Sequence, residues 1–348
     1  MASENTVATN ISSIKAFVEA INEHTTIPSN YYSFIDPRDG DEVDDTLAAF
    51  IPVIDYSLLT SMDSEMHAKG IQELGKACKE WGFFMVINHG ISENLMESVL
   101  AATRQFFEMT DEEKQQFSDK GVLCPIRHGT SMNTKAEDVH FWRDYLKVFT
   151  HPQFCIPNVP AGFRETAFEY CKRVREVTGE LYKGMSESLG LEANAIPNAL
   201  GFGTDFQLLV ANLYPPCPQP DAALGQPPHS DNGSLTFLIQ NGIGGLQVHH
   251  KGKWVNVNPL SNSIMVNISD QLEIITNGIF KGVLHRAVLK NQVTRVSLAM
   301  VHGPSFDKLP ELVKGGKQEF EGMNYKQYFL HHQGNKLVGK TNLDHARA

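Results

Sequence analysis

The stretch of residues 228–297 carries two short polar motifs inside runs that are otherwise typical of β-strands. The first motif is His229-x-Asp231 and the second is Arg295-x-Ser297. Because successive side chains of a strand point to opposite faces, the two polar residues of each motif share one face. Among the fourteen histidines only His229 is followed two positions later by an acid, and among the arginines only Arg295 is followed likewise by serine. Two unique motifs in one segment predict one common site.

A third candidate metal ligand, His285, lies in residues 283–289, which also read as a strand. A polar turn at residues 290–292 and the strand-like residues 295–300 follow, so the two runs are predicted to form a hairpin. Two imidazoles and one carboxylate occupy one face of an octahedral ion and leave the opposite face open, which is the ligand set of non-haem Fe(II) oxygenases. The predicted metal site is therefore His229, Asp231 and His285.

Arg295 and Ser297 suit a carboxylate ligand. A guanidinium binds a carboxylate through two parallel hydrogen bonds, and a hydroxyl adds one more. The pair therefore predicts binding of a dicarboxylate co-substrate beside the metal.

These motifs, their order and several further stretches resemble the plant 2-oxoglutarate- and Fe(II)-dependent dioxygenases. The resemblance extends over nearly the whole chain, because the N-terminal half also contains matching stretches. The matching stretches outside the two motifs are residues 51–55 (IPVID), 81–90 (WGFFMVINHG), 141–146 (FWRDYL), 212–218 (NLYPPCP) and 244–247 (GGLQ).

The resemblance implies an enzyme that uses Fe(II), 2-oxoglutarate and O₂, with ascorbate as reductant. It implies that Asn212 and Tyr214 join Arg295 and Ser297 in binding 2-oxoglutarate, although by chemistry alone Tyr214 is more simply a core residue. The metal and the keto acid carry out the oxidation itself, and the protein supplies the ligands, orients the reactants and excludes water from the pocket.

The substrate implied by the resemblance is a lipophilic plant specialised metabolite, such as a flavonoid, another phenolic or a polycyclic terpenoid. Hydroxylation, desaturation and ring closure all remain open. Strand alternation places Val210 on the same face as Asn212, and Val301 on the same face as Arg295. Both valines could equally well be ordinary core residues of the barrel. The predicted substrate-binding residues are His128, Trp142, Val210, Val301, Phe306 and Tyr328.

The amino-acid composition limits which binding partners are expected. The 348 residues are 41% hydrophobic and 20% charged, as is ordinary for a globular protein, and the formal net charge is −10. Without a long Lys/Arg cluster, neither nucleic acid nor an anionic membrane is an expected partner. No apolar run approaches the length of a membrane span, and the five cysteines form no CxxC pair. A cytoplasmic monomer without structural disulfides is expected.

The predicted fold is mixed α/β with an all-β core, a double-stranded β-helix (jelly roll) flanked by helices. Residues 1–160 are predicted to form an N-terminal α/β region, residues 161–200 a long supporting helix and its connection, and residues 201–310 the jelly-roll catalytic core. Short β-rich runs separated by Gly, Pro, Asn and Ser turns support this core.

Residues 311–348 are predicted to form a C-terminal helical lid. Tyr325, Tyr328, Phe329 and His332 follow the i, i+3, i+4, i+7 spacing of a helix with one aromatic face. A lid that excludes water benefits oxidative chemistry, but a helix docked permanently on the surface fits the same spacing.

Two other functions compete with this interpretation. A related plant enzyme that forms ethylene shares the iron ligands and the Arg-x-Ser pair but uses ascorbate. A non-catalytic jelly roll of the cupin kind would keep the metal as structure. Asn212 and Tyr214 disfavour the first function, and the open coordination face disfavours the second, because structural metal sites are usually closed by four protein ligands.

Overall fold

The computed structural model describes residues 12–21, 26–33, 43–131, 137–309, 324–334 and 341–344. The helices of this described part are α1 (Ile14–Ala20), α2 (Tyr56–Leu59), α3 (Ser64–Glu80), α4 (Glu93–Glu108), α5 (Asp111–Gln115), α6 (Phe163–Ser188), α7 (Ala195–Leu200), α8 (Asp270–Ile275), α9 (Tyr325–Gly334) and α10 (Thr341–Asp344). Its strands are β1 (Val53–Asp55), β2 (Phe83–Ile87), β3 (Ile126–Thr130), β4 (Asp144–His151), β5 (Phe206–Tyr214), β6 (Gln226–His229), β7 (Leu235–Gln240), β8 (Leu246–His250), β9 (Lys253–Asn256), β10 (Ile264–Ile268), β11 (His285–Ala287) and β12 (Arg295–Gly303).

Two sheets build the core. Within the described residues, the larger sheet has the strand order β1-β2-β10-β7-β12-β5-β4-β3 and the smaller one β6-β11-β8-β9. All of these pairings are antiparallel except that of β1 with β2. The predicted double-stranded β-helix flanked by helices is confirmed.

The predicted hairpin between residues 283–289 and 295–300 is wrong. Strand β11 pairs with β6 and β8 in the smaller sheet, whereas β12 pairs with β5 and β7 in the larger one. The polar segment between them carries the chain from one sheet to the other. Its composition suits a hairpin turn and a crossover equally well, because both expose their backbone to water.

Helix α6 covers the outer face of the larger sheet. Apolar residues recur every three or four positions along this helix, and Phe163, Tyr170 and Leu181 among them are fully buried. They pack with outward residues of the sheet such as Leu209 and Leu298, so this face carries the main core and leaves the opposite face for the site.

The buried imidazole of His128 makes the fold sensitive to acid. It lies with ring centroids 5.6 Å from Phe106 and 6.3 Å from Phe107, and burial lowers its pKa to about 4. The unfolded chain takes up a proton near pH 6.5 that the folded protein does not, so the free energy of unfolding should fall as the pH drops from about 6.5 to about 4. We expect His128→Phe to flatten this fall by about 3 kcal/mol.

Urea unfolding at several pH values measures this effect, with His331→Phe, at an exposed histidine, as the control. An unchanged pH dependence in His128→Phe would show that His128 is not responsible. Some dependence at lower pH should remain in either variant, because burial also lowers the pKa of His302, to about 3.

Candidate active site

Two neighbouring strands of the smaller sheet bring the predicted metal ligands together. His229 on β6 is the register partner of His285 on β11, and Asp231 follows β6 directly. The Asp231 Oδ1 atom lies 3.6 Å from His229 Nε2 and 3.8 Å from His285 Nε2. Among the described residues these three side chains form the group of His, Cys, Asp and Glu that could hold a metal ion.

Hydrogen bonds fix the orientation of two of the ligands. His229 Nδ1 lies 2.8 Å from the carbonyl oxygen of Pro227, which only accepts, so Nδ1 carries the hydrogen and Nε2 presents its lone pair. Asn267 donates to Asp231 Oδ2 at 2.9 Å, which leaves Oδ1 directed toward the histidines. The atoms that would face a metal are therefore His229 Nε2 and Asp231 Oδ1, which lie 3.6 Å apart.

The protonation states also suit a metal. Burial, followed by the neighbouring His285, lowers the pKa of His229 to about 3. Burial alone would raise the pKa of Asp231, but His285 and His229 outweigh it and lower that pKa to about 2. At neutral pH the site holds a neutral His229 and an anionic Asp231, which are the forms that ligate a cation.

The three residues fit Fe(II). Two ligands about 2.1 Å from one ion lie within about 4.2 Å of each other, and both measured separations meet this limit. Two imidazoles and one carboxylate are the donor set that binds Fe(II) with open positions.

The predicted 2-oxoglutarate anchors lie on adjacent strands of the larger sheet. Arg295 and Ser297 on β12 are the register partners of Tyr214 and Asn212 on β5, and all four side chains line the same cavity as the metal ligands. The guanidinium of Arg295 lies over the Tyr214 ring, 5.0 Å from its centroid.

Arg295 is a buried cation whose observed side-chain partners are neutral. It is 3% exposed, and its Nε and Nη2 atoms donate to Gln240 Oε1 at 3.2 and 2.9 Å. Within the described part of the chain it forms no ion pair with a carboxylate. Because a buried charge without a counter-charge is costly, this side chain is suited to bind an incoming carboxylate such as that of 2-oxoglutarate.

One cavity of about 110 Å³ joins the metal ligands to these anchors. Val210 and Val301 line it, where the sequence analysis expected substrate contacts. Leu208 on β5 and Phe329 on α9 are among the other apolar residues that line it.

Four predicted substrate residues lie elsewhere. His128 on β3 packs under α4, because strand alternation gives the cavity side to its neighbour Arg127. Trp142 precedes β4 and packs edge-on against Phe17 and Tyr31.

The other two predicted substrate residues are Phe306, which follows β12, and Tyr328 on α9. Phe306 lies behind the cavity wall, with its ring centroid 5.5 Å from that of Phe329. The Tyr328 hydroxyl donates to Asp270 Oδ2 at 2.6 Å, so Tyr328 anchors α9 to α8 instead of facing the cavity.

Several cavity residues were missed by sequence reasoning. Lys147 on β4 and Arg143, just before that strand, are four residues apart and both line the cavity, a spacing that could have been read from the strand pattern. His332 and Gln333 line the cavity from α9. The sequence predicts an aromatic face on this helix but not that the helix borders the cavity. Gln226 lines the cavity and donates from Nε2 to His229 Nε2 at 2.7 Å.

His249 and His250 border a basic turn at residues 251–253, and the sequence therefore predicts that both face solvent. For His250 this prediction is wrong, because it is 7% exposed and stacks on Trp81 with ring centroids 3.7 Å apart. Trp81 lies far away in sequence, so the local basic turn gives no sign of this contact.

Comparison with protein families finds two matches. Residues 206–304 match the 2OG-Fe(II) oxygenase superfamily. Residues 51–165 match a family described as non-haem dioxygenase in morphine synthesis N-terminal. The two matches cover the β-rich core and the α/β region that precedes it.

Among characterised proteins, the chain is similar to 2-oxoglutarate-dependent dioxygenase 19 of Oryza sativa subsp. japonica, with 44% identity over 303 residues, 85% of this chain and 90% of the relative. It is 41% identical to flavanone 3-dioxygenase 2 of the same species over 256 residues, 72% of each chain. Among solved structures, JOX2 in complex with 2OG, Fe and JA matches with a TM-score of 0.85 and 28% identity, covering 97% of this chain and 98% of that one. A search of the described helices finds none with the length and apolar character needed to cross a membrane.

Proposed function

The chain belongs to the plant 2-oxoglutarate- and Fe(II)-dependent dioxygenases, and we propose that it oxidises a largely apolar plant metabolite in the cavity beside His229, Asp231 and His285. The observation that carries the proposal is that one cavity holds three groups at once: the metal ligands, the buried Arg295, and an apolar wall that includes Val210, Val301 and Phe329. The proposed substrate is therefore a small molecule with an apolar body.

The protein's own part in the reaction follows from these positions. Arg295 and Ser297 bind the far carboxylate of 2-oxoglutarate, and Tyr214 and Asn212 complete that end of the cavity. When bound, iron and 2-oxoglutarate supply the oxidising power with O₂ and release succinate and CO₂. Val210 and Val301 on the larger sheet and Phe329 on α9 exclude water and hold the substrate against the metal.

Hydroxylation is the simplest outcome in this cavity, and desaturation and ring closure use the same residues. The ascorbate-dependent oxidase remains the second candidate because it shares the metal ligands and Arg-x-Ser. The buried Arg295 favours 2-oxoglutarate, because a dicarboxylate supplies the counter-charge that the described residues do not.

An activity screen tests the proposal. The protein is incubated with Fe(II), O₂, ascorbate and labelled 2-oxoglutarate against a panel of plant flavonoids, phenolics, terpenoids and aromatic acids, and CO₂ and product mass are followed together. We expect one class of compound to stimulate CO₂ release and to gain oxygen or lose hydrogen. Oxidation that proceeds equally well without 2-oxoglutarate would support the ascorbate-dependent alternative.

Helix α9 is proposed to act as the lid, and Tyr328 provides the test. Loss of its buried hydrogen bond to Asp270 should loosen α9 without removing any residue that lines the cavity, at a cost of about 1 kcal/mol or more. We therefore expect Tyr328→Phe to retain iron and 2-oxoglutarate binding while succinate formation exceeds product formation. Gln327→Ala, a substitution at an exposed residue of α9, is the control. A succinate-to-product ratio equal to that of the parent would show that this contact does not hold a lid.

A further inference from the structure

Three buried cations lie on the cavity side of the larger sheet, and two of them, Arg143 and Lys147, line the cavity. The third, Arg127, is the register partner of Lys147, and none of the three has a role in the reaction described so far. We propose that Arg127 and Lys147 bind a carboxylate of the substrate itself, so that the substrate is an organic acid with an apolar body. This inference rests on the proposed function, because it assigns the substrate class of the same cavity.

The strand register places the cations on the cavity face. Arg127 on β3 is paired with Lys147 on β4, and Lys147 with Val210 on β5. Paired residues of neighbouring strands point to the same face, and both Lys147 and Val210 line the cavity. Arg127 therefore lies on the same face, one strand further toward the sheet edge.

The same register separates this end from the 2-oxoglutarate anchors. Asn212 and Ser297 form the neighbouring row, two residues along the strands from Val210 and Ala299. Two residues of a strand span about 7 Å, and β4 lies two strands from β12, about 10 Å away. Lys147 and Arg295 thus lie at different positions in the cavity. Because Arg295 already serves 2-oxoglutarate, Lys147 is left for a different carboxylate.

The Arg127 guanidinium has unused hydrogen-bonding capacity. It is 2% exposed, and its Nε and Nη2 atoms have no hydrogen-bond partner among the described residues. A guanidinium buried in this way is suited to a planar carboxylate, which accepts two parallel N–H bonds from one fork.

Among the described residues, Asp119 is the acid that interacts with both Arg127 and Lys147. Burial, and then Arg127 and Arg143, lower the pKa of Lys147 well below its ordinary value, and Asp119 is the acid that opposes them. The Asp119 carboxylate is already shared, because it accepts from the Tyr145 hydroxyl at 2.9 Å and from the Gly121 amide at 2.8 Å. A second anion in the cavity would relieve the repulsion.

The other two cations donate hydrogen bonds to neutral side chains that line the cavity. Arg143 donates to the neutral side-chain oxygens of Asn212 and Gln226 at 2.7 and 2.8 Å, so it positions the metal-side wall. Lys147 donates to Gln333 Oε1 on α9 at 3.2 Å, a neutral contact across the cavity that a carboxylate can replace.

The rest of the cavity suits the apolar part of such an acid. Leu208, Val210 and Val301 line the wall next to the cations, and Phe329 closes it from α9. An acid whose charged end binds Arg127 and Lys147 would place its apolar body along this wall, toward the metal ligands.

Binding of paired acids and esters tests the proposal. The probes are 2-naphthoate and trans-cinnamate, each compared with its methyl ester, titrated by calorimetry into the protein loaded with Fe(II) and 2-oxoglutarate without O₂. We expect at least one acid to bind the parent at least about tenfold more tightly than its ester, because the ester keeps the shape and loses the charge. Lys147→Met and Arg127→Gln should each remove most of this preference, whereas Lys69→Met, at an exposed lysine, should preserve it.

The outcomes that contradict the proposal are distinct. Acids that bind the parent no better than their esters would overturn it. Variants that lose affinity for 2-oxoglutarate as strongly as for the acids would assign the cluster to the co-substrate instead. A parent that fails to bind 2-oxoglutarate at all, a result seen before any acid is added, would contradict the proposed function and this inference with it.

Thermal unfolding without ligand gives a second test that needs no probe. Replacing a buried cation that its neighbours repel with an apolar side chain of similar length is often neutral or stabilising. We expect Lys147→Met to melt at or above the temperature of the parent and of Lys69→Met. A melting temperature lowered by several degrees would show that Lys147 holds the structure together through Gln333 and would overturn a ligand-binding role.

Discussion

Replacing Asp231 with alanine should reduce 2-oxoglutarate-dependent turnover to the background of the assay. The variant loses the only anionic side chain of the three metal ligands, and the Asp231 Oδ1 atom is the one that lies nearest to both histidine Nε2 atoms. Ligation by the two imidazoles alone is much weaker, because the ion loses one of its three protein ligands together with the negative charge that this ligand supplies. Anaerobic titration with Fe(II), followed by the succinate assay, measures both the binding and the activity.

Two further variants make this result specific. Asp231→Glu keeps the carboxylate with an altered reach, so we expect it to retain more activity than alanine. Asp221→Ala removes an exposed aspartate from the loop before β6 and should leave both assays unchanged. If Asp231→Ala kept most of its turnover at saturating Fe(II), the metal would have to be held elsewhere.

The second large effect is expected at Arg295. Arg295→Leu should raise the Michaelis constant for 2-oxoglutarate by more than about a hundredfold, because loss of one side of a buried ion pair costs about 3–5 kcal/mol. The Ser297→Ala variant removes a single neutral hydrogen bond and should cost about 0.5–1.5 kcal/mol. Steady-state kinetics with varied 2-oxoglutarate measure both changes.

Iron binding separates the two roles. Arg295→Leu should bind Fe(II) like the parent, since Arg295 lies on β12 of the larger sheet. The metal ligands lie on β6 and β11 of the smaller sheet and in the segment that follows β6. Arg173→Leu, at a half-exposed arginine of α6, serves as the control for loss of a guanidinium. Equal affinity of Arg295→Leu and the parent for 2-oxoglutarate in calorimetry would place the keto acid elsewhere.

The predicted metal ligands and anchors depended on local geometry, and the structure brings all of them into one cavity. Residues two apart in a strand share a face whatever the strand pairs with, so His229 with Asp231, and Arg295 with Ser297, could be read from spacing alone. The pairing of strands is not local. Strands β11 and β12 are neighbours in sequence but pair in different sheets, so the sequence alone predicted a hairpin where the chain crosses between the sheets.

The substrate wall shows a second limit of sequence reasoning. The prediction chose strand β3 and the segment that leads into β4, but in both places the neighbouring residue lies on the cavity side. Arg127 follows the face of Lys147 where His128 was chosen, and Arg143 lines the cavity where Trp142 was chosen. A shift of one residue along a strand exchanges the two faces. In α9 a similar shift separated Tyr328, which anchors the helix, from Phe329, which lines the cavity. Which face meets a cavity depends on elements that pack from elsewhere in the chain.

The central claim is that one cavity couples 2-oxoglutarate consumption to oxidation of an organic substrate through His229, Asp231 and His285. The most direct measurement follows ¹⁴CO₂ from 1-labelled 2-oxoglutarate together with oxidised product, in the parent and in Asp231→Ala, with and without Fe(II). The account predicts that CO₂ and product form in about equal amounts in the parent, and that both disappear without Fe(II) and in the variant. Product formed without 2-oxoglutarate consumption, or CO₂ released at the parental rate by Asp231→Ala, would contradict it.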